Sequence, residues 1–130
     1  MIALDTNLLA RLLLRDHPAQ FARVKSLLQT DQIFTAPVTV IQELVWVLEA
    51  NDCGSTEIEH ALRLLLALPN FRPQQADAVL RALDGYGQGM DFADALHLAL
   101  CADDDGFVSF DKDLARKAAR LGIVPRVVPA

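Results

Sequence analysis

Short apolar runs alternate along this chain with longer segments whose apolar residues recur at helical spacing. Residues 1–4 are apolar and end in a polar turn, the pattern of a short buried strand. Residues 7–15 read as a short helix. Residues 18–30 read as a second, because Phe21, Val24, Leu27 and Leu28 return to one face. Residues 33–36 predict a strand. After Pro37, Thr39 and Gln42 have capping-box spacing and open a helix that runs to Ala50. Trp46 lies in this apolar helix and is expected in the core. Gly54 breaks the chain, and Thr56 with Glu59 repeats the capping-box spacing before a leucine-rich helix ending near Leu68 and Pro69.

The second half continues the alternation. Residues 71–73 predict an edge strand and residues 75–86 an amphipathic helix, with Gly85, Gly87 and Gly89 as a flexible loop. Asp91 opens a strong helix through about residue 103. Residues 107–110 predict a buried strand, residues 112–121 a helix stopped by Gly122, and residues 123–128 a last strand. Strands alternating with helices argue for an α/β fold with a central, mainly parallel sheet flanked by helices. At 130 residues, one domain over residues 1–130 is expected.

Four acids interrupt segments that otherwise look buried. Asp5 closes the first strand, Glu43 and Asp94 fall in the first turns of helices, and Asp111 closes a later strand. A carboxylate beside a core costs free energy unless a positive partner neutralises it. Ligands of parallel sheets bind at the carboxyl ends of strands, where Asp5 and Asp111 fall. Oxygen-only donors favour Mg²⁺ or Mn²⁺ over zinc. Such an ion polarises a phosphoryl oxygen and acidifies a bound water, which suits phosphodiester hydrolysis.

Plainer roles compete at each position. Asp5 and Asp111 have the placement of helix caps, and Glu43 that of a residue favoured by the helix dipole. Thr6 and Asn7 either orient Asp5 or shape its turn. Asp91 is the better cap and Asp94 the better ligand, because Asp94 stands just inside the helix. Asp113 is either a secondary ligand or a solvated acid. The run Asp103, Asp104 and Asp105 reads as a solvated loop, and His97 as a packed histidine. His17 and His60 show no ligand spacing.

Composition narrows the class. Hydrophobic residues make up 52% of the chain, enough for a core, and no apolar run approaches a bilayer span. Two cysteines without Cys-x-x-Cys spacing predict reduced thiols and a cytoplasmic protein. The net charge of −5 argues against a protein that coats nucleic acid through a basic face. It leaves open an enzyme that holds phosphates through a few cations. Arg11 with Arg15, and Arg116 with Lys117 and Arg120, are the sets to consider, against ordinary surface charge.

Taken in order, Leu-Asp-Thr-Asn at 4–7, the Glu43 helix, Asp-Phe-Ala-Asp-Ala-Leu at 91–96 and Ser-Phe-Asp-Lys-Asp at 109–113 resemble the PIN-domain family, and within it the VapC toxins of toxin–antitoxin pairs. The resemblance implies a Mg²⁺- or Mn²⁺-dependent endoribonuclease with Asp5, Glu43, Asp94 and Asp111 as its acidic quartet. Asp91 and Asp113 would be possible secondary ligands, and Ser109 the small hydroxyl residue before the last acid. It further implies an RNA substrate, a homodimer and a cognate antitoxin protein. The alternative from another class is a non-catalytic PIN-like module that only binds proteins. A phosphotransfer receiver domain fits less well, because Asp5 lacks a neighbouring acid and Lys112 follows Asp111 instead of standing at a separate strand end.

Overall fold

Asp5 sets where the first strand stops. Its backbone is extended, at φ −86° and ψ 159°, and its Oδ1 accepts from the Thr6 amide at 2.8 Å. This turns strand β1 (Ile2–Ala3) into helix α1 (Thr6–Leu14). The computed structural model describes residues 1–130 as two compact units, Met1–Ala76 and Asp77–Ala130.

In the first unit β1 pairs in parallel with β2 (Phe34–Thr35), Ile2 lying opposite Phe34. Helix α2 (Pro18–Leu28) starts at His17, whose Nδ1 accepts from the Gln20 amide. Helices α3 (Val38–Ala50) and α4 (Ser55–Leu66) complete the unit, with α1 packed on α2 and α3, and α3 on α4. Leu9, Phe34, Ile41, Leu44, Ile58, Leu62 and Phe71 are fully buried. The expected edge strand at 71–73 is a single parallel bridge from Phe34 to Phe71. Around it Arg72 donates to the Phe34 carbonyl and Gln74 to the Ala36 carbonyl, so Pro73 falls where its missing amide hydrogen costs the ladder nothing.

Several expectations change here. Both residues of β1 are exposed, and the inward position belongs to Leu4. Neither expected capping box forms. Helix α3 starts after Pro37 without a side-chain cap, and at α4 the Gly54 amide donates to Glu57 Oε1 at 3.2 Å. The extended backbone at Pro37 and Gly54 sets these starts, one or more residues before each threonine. Trp46 is 73% exposed. Ile41, Leu44, Val45 and Leu48 define the inward stripe of α3, and position 46 falls outside it.

The second unit contains α5 (Ala76–Gly87) from its second residue on, α6 (Phe92–Leu100), β3 (Phe107–Ser109), α7 (Lys112–Leu121) and β4 (Val127–Pro129). Strands β3 and β4 are parallel, with Val108 opposite Val128, and α7 packs on β4. Each unit is therefore a parallel strand pair with helices, an α/β arrangement. Helix α7 has the expected bounds and ends where Gly122 takes the left-handed conformation, φ 67°. Helix α6 stops at Leu100, and residues 101–105 form turns. The strand at 107–110 is not buried throughout. Phe107 and Ser109 are half-buried, whereas Val108 and Phe110 are exposed, the period-two alternation of a strand. Both cysteines are free, and no helix is long and apolar enough to cross a membrane.

Gly85 and Gly87 belong to α5 and not to a loop; of the three glycines only Gly89, at φ 99°, has loop geometry. Gly85 is buried, and a Cβ built there meets Ala95 Cβ at 3.2 Å and Met90 Sδ at 3.4 Å. The missing side chain lets α5 approach α6, the helix that carries Asp94. Tyr86 and Phe92 close the same corner edge-to-face, with ring centroids 5.7 Å apart. Gly85→Val is expected to destabilise the protein by about 1–3 kcal/mol through overpacking, read as a lower urea midpoint.

Candidate functional site

Two helix starts bring acids together in the second unit. Asp91 caps α6, its Oδ2 accepting from the Asp94 amide at 3.1 Å. Asp94 sits in the first turn of that helix and is half-buried. Asp111 caps α7, its Oδ1 accepting from the Leu114 amide at 3.0 Å. The Asp111 amide donates to Ser109 Oγ, also at 3.0 Å, so Ser109 fixes the turn from which the carboxylate projects.

These acids share one electrostatic environment. Burial raises the Asp94 carboxyl above its ordinary range, and the carboxylates of Asp91 and Asp111 push it further. His97 and Lys117 oppose that rise. Lys117 comes from α7 and donates to the Gly89 carbonyl at 3.4 Å. It therefore links the last helix to the loop before α6. His97 is exposed, not packed in the core as expected.

Asp5 and Glu43 belong to the first unit. Asp5 is exposed at the N-terminus of α1, so the capping role weighed for it is real. The next residue, Thr6, is buried, and its Oγ1 has no hydrogen-bond partner. An unpaired buried hydroxyl costs about 1–3 kcal/mol, which a water or bound group would relieve. Glu43 is exposed between buried Ile41, Leu44 and Val45. It lies in the second turn of α3, because the helix starts at Val38, earlier than the threonine spacing implies.

The donor set is all oxygen and suits a hard divalent cation. No three His, Cys, Asp or Glu side chains form a ready cage. Asp91 and Asp111 each commit one oxygen to a backbone amide, leaving the other available. Asp113 is exposed and pairs with Arg116 one turn on, the behaviour of a solvated acid. Arg11 is held by Asp16 and Gln20, and Arg15 lies over the Phe21 ring at 5.1 Å, so both have local structural roles. Lys117 and the Thr6 hydroxyl gain their places through tertiary packing. The link from Lys117 to Gly89 spans 28 positions and leaves no local mark in the sequence.

Because its folded-state value is raised, Asp94 stabilises the folded protein most when protonated. That contribution is complete below the ordinary carboxylate range and is lost as pH rises through the raised value. Asp94→Asn should therefore melt higher than wild type near about pH 7, with the gap closing toward about pH 3. Paired thermal melts across that range test it.

Residues 2–120 match the PIN domain family, and no curated protein matches the chain. PIN domains are generally nucleases and generally use divalent metals. The matched span takes in Asp5, Glu43, Asp91, Asp94 and Asp111, and it covers nearly all of the chain. This protein belongs to the PIN domain family.

Proposed function

We propose that this protein is a Mg²⁺- or Mn²⁺-dependent endoribonuclease, with Asp5, Glu43, Asp94 and Asp111 as its acidic residues. The observation that supports this reading best is the crowding around Asp94, where burial and two neighbouring carboxylates disfavour its charge. A divalent cation relieves such a cluster, and like charges held together without one are destabilising. The family match runs through both compact units, which supports treating residues 1–130 as one nuclease domain.

The ion would supply Lewis acidity toward a phosphoryl oxygen and a more acidic water. The protein's own groups do the positioning. Asp94 and Asp111 offer carboxylate oxygens from two helix starts, and Ser109 holds the Asp111 turn. Asp5 offers another from the start of α1, and Glu43 one from the exposed face of α3. Lys117 places a cation beside Asp94, suited to hold a substrate phosphate. Asp91 serves the cap and adds negative charge, and Asp113 stays with Arg116. No side chain is needed as a covalent nucleophile.

Within this reading the protein is the toxin of a toxin–antitoxin pair. It acts in the cytoplasm as a homodimer, on single-stranded RNA, and is blocked by a cognate antitoxin. The support for these finer statements is the ordered set of motifs from Asp5 to Asp111.

Asp5→Asn and Asp94→Asn should each lower metal-dependent cleavage of single-stranded RNA more than about 100-fold while circular dichroism stays native. EDTA should abolish wild-type activity. Full activity in both variants would overturn the assignment. Millimolar Mg²⁺ should also raise the wild-type melting temperature, by linkage to the folded state, and have a smaller effect on Asp94→Asn.

A further inference from the structure

Phe110 stands between Ser109 and Asp111, in the turn from β3 to α7. Its side chain is 90% exposed, more than any other large apolar residue of the chain. Strand alternation sends it outward together with Val108, which is 68% exposed. The backbone around it is fixed. The Asp111 amide is held by Ser109 Oγ, and the Asp111 carboxylate by the Leu114 amide. The ring is thus displayed on a mount already ordered by the residues that set the acid's position, so binding to it costs little backbone ordering.

The surroundings of the ring narrow its ligand. On the helix side the next residues are exposed and charged: Lys112, Asp113, Arg116 and Lys117. Arg116 is taken by Asp113, whereas Lys117 reaches back toward Gly89 and acts on Asp94. A protein partner would favour a contiguous apolar patch. Here the apolar exposure is one aromatic ring with the small Val108 side chain beside it, set among charges next to a proposed phosphate-cutting centre. That combination fits a ligand with a flat apolar face on an anionic backbone, which is an unpaired nucleobase.

We propose that Phe110 stacks on a base of single-stranded RNA adjacent to the phosphate that Lys117 holds beside Asp94 and Asp111. This subsite rests on the nuclease reading above and adds to it a residue that selects unpaired substrate. Stacking tolerates every base, so the subsite discriminates single strands from duplexes more than one sequence from another.

The test uses the full chain. Trp46 is its only tryptophan, so Phe110→Trp in a Trp46→Phe background places a single reporter at the subsite. With Asp94→Asn added to prevent cleavage, a mixed-sequence single-stranded RNA of about ten nucleotides should quench the indole, and the same RNA as a duplex should not. In the otherwise native enzyme, Phe110→Ala should raise KM about tenfold, and Phe110→Tyr should stay within about twofold of wild type. Binding without quenching, or an unchanged KM in Phe110→Ala, overturns the subsite while leaving the nuclease reading intact. A wild-type protein that neither binds nor cuts RNA with Mg²⁺ removes both. If Phe110→Ala changes oligomeric state on gel filtration but not RNA affinity, the ring contacts protein and the subsite is overturned.

Discussion

A carboxylate accepting a backbone amide at a helix start is the interaction on which the rest depends. It occurs at Asp5, Asp91 and Asp111. Each bond satisfies a donor that the first turn of a helix would otherwise leave unpaired. Each also fixes an acid at a point where the chain changes direction. At Asp5 and Asp111 that point lies between a strand and a helix. The electrostatics follow from the same placement, because negative charge is favoured at a helix N-terminus but several such charges near one another are not.

Asp94 bears the cost of this arrangement. It does not cap a helix; its amide is the donor that Asp91 uses. Half-buried between two capping acids, it is a carboxyl whose ionisation the fold resists. Lys117 offsets part of that resistance from the opposite helix, and its anchor on Gly89 ties the loop before α6 to α7. Gly85 contributes from the other side by letting α5 sit close to α6. The surroundings of Asp94 therefore draw on three helices and one loop, although only the acids themselves stand out in the sequence.

Where local chemistry decides an element, the sequence is readable. Helix α7 has a capping acid at one end and a left-handed glycine at the other, and both bounds are as expected. The acids were legible because each breaks an apolar run. At α3 and α4 the helix starts differ from the threonine spacing, since Pro37 and Gly54 override it. Trp46 and Phe110 look like core residues by composition, yet face solvent because helix phase and strand alternation outrank hydrophobicity at single positions. Ser109 stood out only through family likeness. Lys117 is a candidate phosphate contact from the sequence, but its link to Gly89 depends on the fold, since nothing near it in sequence names that partner.

The shared duty of the capping aspartates limits what can replace them. Asparagine keeps the reach to the amide but gives up the negative charge. Glutamate keeps the charge, but its extra methylene puts the oxygen beyond the tight turn that a cap requires. At Asp91 and Asp111 a short acceptor and an anion meet in one side chain. Of the twenty amino acids only aspartate joins that reach to a negative charge, so the helix start and the local field are set by the same residue.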